Sequence, residues 1–427
     1  MIVTVVPRDT YRLVDGVLDE GLPFVASYLE NKISRSIIIT DNNGKIHYPN
    51  TRSVFQIEDA FVQISIPIVK KEYYYQEQNC SLYYRIEYKG SYAFVVVNDI
   101  PQELLCQAIS ILRGARLAVK CYFTKINKNK KEFEKKLVEY LFLKSTDSIN
   151  DVIRLSEREL EPGRHYLVLL MEVERNREID WQLLCSYACE YFKRKSIDVI
   201  SVYWKNYLLV IVPALKTDIL EKDLESLNLE DVKKFKEVIE NKFSIITSLG
   251  IGQTYPLEKL YQSFEEARVA LTLPRLMKKK EFIQYFSELG IYSFVFSQSL
   301  KKIKNYCLKT LGPLIEQDND TDCSLLPTIR TLLDSGFSMK STADSLHIHV
   351  NTLYYRINKI EQLLDLDLSK MSAQVELYTA IKVWDTLKIN GFIYADETGH
   401  RIKLESTRKI SILHKTSRGN QMETTGW

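Results

Sequence analysis

Three short helical segments between positions 325 and 364 constrain the fold more than any other feature of this sequence. Apolar residues recur at helical spacing over Leu325–Leu333, over Met339–Leu346, and from between His349 and Asn351 to about Leu364. Helices of this length, joined by such short connections, are typical of a helix-turn-helix unit.

The connections between these segments fit the same motif. Ser338 precedes the second segment and is a suitable N-cap. His347 and Ile348 lie between the second and third segments, where a sharp turn usually needs glycine or asparagine. Because histidine is among the residues that tolerate a positive φ, His347 is compatible with such a turn.

The third segment has one apolar face and one polar face. We expect Leu353, Ile357 and Ile360 to pack on the two preceding helices, close to the small Ala343. At about 100° per residue the opposite face presents Tyr355, Gln362, Asn351, Thr352, Arg356, Asn358 and Lys359. Such polar groups can read base edges in the major groove of DNA and hold phosphates.

A polar outer face is not specific to DNA binding, because any soluble helical bundle shows one. Residues 321–387 also carry six lysines and arginines against eight acids. DNA affinity would therefore come from locally placed cations, from two subunits on two half-sites, or from the basic tail. From the residues alone, a module that docks a protein partner through these helices remains an alternative.

The sequence around the third segment resembles a known family. HVNTLYYRINKIE at 349–361 is followed by LDLDL at 364–368 and ELYTAIKVW at 376–384. Together they resemble the C-terminal DNA-binding domain of PucR/CdaR-type bacterial transcription regulators. The family pattern His-x-Asn-Thr-Leu-x-Tyr-Arg falls on residues 349–356, with Val350 and Tyr354 at positions where the family often has a basic residue.

The resemblance implies that this region contacts double-stranded promoter DNA. The candidate contacts lie at the start of the second segment and along the third, and they are Ser338, Lys340, Ser341, His349, Asn351, Thr352, Tyr355, Arg356 and Lys359. The departures at Val350 and Tyr354 leave the operator sequence undefined.

Upstream, the pattern from residue 165 predicts an α/β sandwich. The order is strand, helix, strand, strand, helix, strand, at 166–173, 180–195, 197–204, 207–212, 229–243 and 245–251. The sequence SLGIG at 248–252 and the helical stretch 260–271 resemble the end of the degenerate cyclase-like (GGDEF-like) domain that precedes the helix-turn-helix in the same family.

Catalysis by this middle domain is not expected. An active diguanylate cyclase needs a Gly-Gly-Asp/Glu-Glu-Phe turn, and the chain has no Gly-Gly pair. Only Lys205 and Asn206 separate two predicted strands, and this connection is too short to contain the catalytic turn. Gly250-x-Gly252 lacks the further glycine and the Lys-Ser/Thr of a phosphate loop. We therefore predict no catalytic residues.

The first hundred residues predict a small antiparallel sheet flanked by helices. A helical pattern over Thr10–Lys32, interrupted at Pro23, precedes a hairpin of Ser36–Thr40 and Lys45–Tyr48, with further strands at 61–69 and 82–97. This layout resembles PAS-like input domains. Seven tyrosines could line a small-ligand pocket or simply pack the sheet: Tyr73, Tyr74, Tyr75, Tyr83, Tyr84, Tyr88 and Tyr92.

Composition excludes several classes of protein. The net charge of +3 does not by itself indicate a nucleic-acid or membrane partner. The seven cysteines are odd in number and do not form a zinc-binding pattern. No apolar run approaches the roughly 18 residues of a membrane helix, and Met1–Val6 is too short for a signal peptide. We expect a cytoplasmic protein with reduced thiols and without a metal site or cofactor.

These observations predict an α+β multidomain chain. The expected parts are a PAS-like sensor at 1–100, a helical linker at 101–160, a degenerate cyclase-like α/β sandwich at 161–285, an all-α region with the helix-turn-helix at 286–390, and a tail or hairpin at 391–427.

The expected function is sequence-specific regulation of transcription, in response to a small-molecule effector bound by the N-terminal domain, by a homodimer or higher homo-oligomer. Two alternatives stay open: a nucleotide-binding or residual cyclase-type signalling enzyme, and the protein-docking module.

Overall fold

The computed structural model describes residues 8–49, 57–64, 69, 71–144, 146–156, 160–173, 179–214, 229–320, 324–395 and 402–403. The chain forms two compact units. One contains the residues up to Leu271 together with Lys280–Glu288, and the other contains Thr272–Lys279 and the residues from Leu289 onward. Each unit is described by itself.

The first unit begins with two helices and a five-stranded antiparallel sheet. Its elements are α1 (Arg8–Asp19), α2 (Leu22–Ile33), β1 (Ile37–Asp41), β2 (Ile46–Tyr48), β3 (Tyr73–Gln76), β4 (Ser81–Tyr88) and β5 (Ser91–Val97), with sheet order β2-β1-β5-β4-β3. The helix interruption was placed correctly, since Pro23 lies in the first turn of α2, where proline is tolerated. The predicted hairpin is confirmed, and Asp41 Oδ1 accepts the Asn43 and Lys45 amides in its turn.

Two expectations for this sheet need correction. Residues 62–64 form no strand, and Phe61 makes only a single bridge to Lys45; residues 65–68 lie outside the described part. The tyrosines are divided between the two faces of the sheet. Tyr84 and Tyr88 pack into the core under the helices, whereas Tyr83, with Tyr74 and Tyr92, belongs to a small cluster on the other face. Because side chains alternate along a strand, they cannot line one pocket.

A long helix leads into the second sheet of this unit. The helices are α3 (Leu105–Leu143), α4 (Thr146–Leu155), α5 (Trp181–Lys193), α6 (Leu229–Phe243) and α7 (Leu260–Leu276, whose end enters the second unit). The strands are β6 (His165–Val173), β7 (Ile200–Trp204), β8 (Tyr207–Pro213), β9 (Thr247–Ile251), β10 (Tyr255–Pro256) and β11 (Ile283–Tyr285). The predicted order of strands and helices is confirmed.

This second sheet is covered on both faces. Its order is β11-β9-β6-β8-β7, and β10 pairs with β6. Helices α5 and α6 pack on one face, while α4, α7 and the second half of α3 pack on the other. Burial on both faces explains why β6 and β8 read as nearly continuous apolar runs.

The second unit is mostly helical. It contains α8 (Ile291–Phe296), α9 (Leu300–Asp320), α10 (Leu325–Asp334), α11 (Met339–Leu346), α12 (Val350–Leu364) and α13 (Met371–Ile389). β12 (Tyr394–Ala395) pairs antiparallel with β13 (Ile402–Lys403), so a hairpin forms as expected, although its turn lies outside the described residues. The core of this unit includes the fully buried Trp384 of α13.

Several chemical features are settled by the described residues. None of the helices among them combines the length and apolarity of a membrane crossing. Within the same ranges, no three His, Cys, Asp or Glu side chains cluster as metal ligands would. The six described cysteines are free thiols, with Cys185 and Cys307 buried; Cys323 lies outside these ranges.

Gly250 and Gly252 serve packing between β9 and α7. A Cβ atom at Gly252 would overlap the backbone oxygen and the hydroxyl of Ser263, and one at Gly250 would overlap the backbone of Ala267. Ser263 Oγ in turn accepts the Val168 amide at 2.8 Å, which fixes α7 against β6. The glycine pair therefore allows a helix to approach the sheet closely.

We expect Gly252→Ala to lower the free energy of unfolding of the first unit by about 1–3 kcal/mol, because α7 must move to admit the methyl group. Gly114→Ala is the matched control. Gly114 lies within α3 with open space around its Cα, so the same change should stabilise the helix by about 0.5–1 kcal/mol. Urea denaturation of both variants measures these changes, and equal effects would contradict the packing role.

Candidate nucleic-acid interface

The helices α10, α11 and α12 begin and end close to the predicted positions, and capping groups explain the boundaries of α11 and α12. Ser338 Oγ accepts the Ser341 amide at 3.3 Å, which confirms Ser338 as the N-cap of α11. His347 ends α11 with φ of 52°, the left-handed conformation expected there. His349 Nδ1 accepts the Asn351 amide at 3.2 Å, so His349 caps α12. This capping role is additional to the DNA contact that the sequence predicts for His349.

An apolar seam sets the rotation of α12. Leu353 and Ile360 are fully buried, Ile357 is half-buried, and Ala343 of α11 is buried where the helices approach. α12 packs on α10 and α11 as predicted, and also on α9. With this seam buried, the opposite face of α12 must point away from the core of the unit.

Two crossed ion pairs attach α10 to α13. Arg330 donates to both carboxylate oxygens of Asp385, at 2.9 and 2.6 Å. One helical turn away, the almost fully buried Lys382 ammonium donates to Asp334 at 2.7 Å and to the Leu276 carbonyl at 3.2 Å. Because each helix contributes one cation and one anion, the two pairs fix both the register and the direction of α10 on α13.

Most of the candidate contacts lie on the surface. Exposed are Ser338, Lys340, Ser341, His349, Asn351, Thr352 and Tyr355, while Lys359 is half-buried. Tyr355 retains 63% of its accessible surface. The structure thus brings the N-terminal end of α11 and the outer face of α12 into one three-helix frame.

Arg356 differs from the other candidates, because its side chain is half-buried and turned toward α10. Its Nη1 donates to Thr328 Oγ1 at 3.1 Å, and Thr328 is fully buried. The Thr328 hydroxyl donates in turn to the Ser324 carbonyl at 2.7 Å. Arg356 therefore supports the packing of α12 on α10, whatever else it contacts.

Tyr354 is a surface residue that is absent from the contacts predicted from the sequence. It is 52% exposed beside Tyr355. Its position, about 100° around the helix from Leu353, is a flank where helical periodicity alone cannot decide between burial and exposure.

Known proteins share two regions of this chain. Residues 325–383 match the model of the PucR C-terminal helix-turn-helix domain, and residues 148–273 match that of the GGDEF-like domain.

Among the relatives from Bacillus subtilis are three regulatory proteins. The DNA-binding transcriptional activator AdeR is 26% identical, over 68% of this chain and 69% of its own length. The proline-responsive transcriptional activator PutR is 25% identical, over 67% of this chain and 71% of its own. A purine catabolism regulatory protein is 27% identical, over 36% of this chain and 29% of its own.

Residues 148–273 contain every strand of the two-sided sheet except β11, and residues 325–383 contain α10, α11 and α12 with most of α13. The chain therefore carries a GGDEF-like domain followed by a PucR-type C-terminal helix-turn-helix domain, and it is similar to regulators in which the same domains occur.

Proposed function

We propose that this protein is a sequence-specific DNA-binding regulator of transcription, and that α12 enters the major groove of promoter DNA. One observation carries the proposal: α12 exposes Asn351, Thr352 and Tyr355 on the side opposite its buried seam. Amide, hydroxyl and phenol groups on an exposed helix can pair with base edges. The PucR family match and the regulators among the relatives support the same function.

Because residues 321–387 carry more acidic than basic side chains, DNA binding requires contacts beyond those of α12 to base edges. We place backbone contacts at Lys340 and Ser341 of α11 and at Lys359 of α12, with Ser338 and His349 organising the helix ends. Two subunits on two half-sites would double the contact surface, so the proposal includes a homodimer. Effector binding by a PAS-like domain within residues 1–100 and a cytoplasmic location complete it. The antiparallel sheet with helices packed on one face supports the PAS-like assignment.

The proposal also holds that the GGDEF-like domain does not turn over nucleotide. β7 and β8 are joined by the two residues Lys205 and Asn206 alone. A connection this short leaves no loop that could hold a triphosphate and a metal ion.

Thr352→Ala and Asn351→Ala should each weaken binding to the promoter nearest the protein's own gene by about 1–3 kcal/mol, because each loses a contact to the DNA. Gel shifts at fixed salt measure the loss. Lys309→Ala is the control, since Lys309 is an exposed cation on α9, outside the proposed interface. If both α12 variants bind like the wild type, the helices dock a protein partner instead.

Arg356→Ala should weaken DNA binding to a similar extent, but it should also lower stability by about 1–2 kcal/mol, because the buried Thr328 hydroxyl loses a charged donor. Gln362→Ala, an exposed change on the same helix, should stay within about 0.5 kcal/mol of the wild type. Hydrogen exchange of the α10 and α12 amides measures the stability of the two variants relative to the wild type. If exchange is unchanged in Arg356→Ala, the hydrogen bond from Arg356 to Thr328 does not stabilise the packing of α12 on α10.

Incubation of the full chain with GTP and Mg²⁺ should yield neither cyclic dinucleotide nor hydrolysed nucleotide, as chromatography of the mixture would show. Turnover that disappears on changing a residue of the GGDEF-like domain would contradict the non-catalytic assignment and favour the signalling enzyme.

A further inference from the structure

A cavity of about 280 Å³ lies within the first unit, where three parts of the chain meet. Its walls come from the β1–β2 hairpin, from the middle of α3 with the end of α4, and from α5 with β7 of the GGDEF-like domain. At roughly 30 Å³ per water molecule, this volume suits a solute of about ten non-hydrogen atoms.

Charged groups of both signs face this cavity. Lys45 of the hairpin and Lys130 of α3 bring positive charge, and Glu134, one turn further along α3, brings negative charge. The Lys130 Nζ and Glu134 Oε1 atoms are 4.0 Å apart, at the outer limit of an ion pair. This separation leaves the Glu134 carboxylate able to accept a closer donor.

The surroundings of Glu134 favour such a donor. Burial raises the pKa of this carboxyl, and the nearby charges of Lys130 and Lys131 offset only part of the effect. A cationic group placed against Glu134 within the cavity would stabilise the charged carboxylate, as water does at the surface.

The opposite wall, formed by α5 and β7, carries both polar and apolar groups. Ser201 Oγ of β7 donates to the Cys185 carbonyl of α5 at 2.7 Å and lies 3.1 Å from Cys189 Sγ. Val202 of β7 adds apolar surface to this wall, and Ile126 and Phe133 add it on the α3 side. A few polar groups at defined positions within an apolar lining are typical of small-molecule sites.

We propose that this cavity binds a small zwitterion of the amino-acid class, with its ammonium group against Glu134, its carboxylate toward Lys45, and its side chain along the apolar wall. Both charges of such a ligand meet an opposite charge, which neither an amine nor a simple carboxylic acid achieves.

The cavity's position gives binding a consequence for regulation. An occupant would contact the N-terminal hairpin, the 39-residue helix α3 and the GGDEF-like domain together, and would favour the arrangement in which all three close on it. This regulatory consequence rests on the proposed function, whereas binding itself does not.

The experiment screens the full chain against the proteinogenic L-amino acids by thermal shift, followed by calorimetry. For each amino acid that stabilises the protein, the amine lacking its carboxylate and the acid lacking its amino group are compared. We expect at least one amino acid to bind roughly tenfold more tightly than both analogues, since each analogue loses one charged contact.

Variants assign the binding to this cavity. Glu134→Gln and Lys45→Met should each weaken binding roughly tenfold. Glu132→Gln and Lys128→Met, exposed positions on the same helix, should bind like the wild type. In the unaltered chain the amino acid should also slow alkylation of the half-buried Cys189 but not of the exposed Cys106, which tests the site even if a variant fails to fold.

Three results would overturn the proposal: no amino acid binds, an analogue binds as tightly as its parent, or Cys189 reacts equally fast with and without ligand. Loss of promoter binding in the gel shifts, with amino-acid binding intact, would refute the DNA-binding function alone.

Discussion

Burial of one side of α12 is the constraint on which the rest of the C-terminal domain depends. Leu353 and Ile360 are fully enclosed by the unit, and they fix the rotation of the helix about its axis. Asn351, Thr352 and Tyr355 on the other side are thereby turned outward together. If the helix rotated by one residue position, about 100°, apolar side chains would be exposed and the array of amide and hydroxyl groups would be lost.

Polar contacts outside the apolar seam also hold α12 in place. α10, on which α12 packs, is attached to α13 by two ion pairs of opposite direction, and Arg356 attaches α12 to α10 through the Thr328 hydroxyl. The Lys382 ammonium is almost completely buried, so its pairing with Asp334 specifies this geometry strongly, since an unpaired charge there would be costly. A helix held in this way keeps its exposed face in one orientation.

In the first unit, by contrast, the main packing contacts connect distant parts of the sequence. α3 packs on the N-terminal sheet over its first half and on the GGDEF-like sheet over its second half. One continuous helix therefore shares a core with both sheets. The cavity beside Glu134 lies at this junction, where a bound molecule would be in contact with both parts.

The sequence by itself determined the local structure. Helical spacing and the capping residues Ser338 and His347 predicted the bounds of α11 and α12 well, because these signals act within a few residues of the chain. It did not determine what depends on tertiary contacts: the division of the tyrosines between two faces, the packing role of Gly250 and Gly252, or the turn of Arg356 toward Thr328. Nor could it bring Lys45 and Glu134 to one cavity, since nothing local links residues so far apart. Packing of helices on sheets, and of α12 on α10, decided these features, and the position of α3 between the two sheets brought Lys45 and Glu134 together.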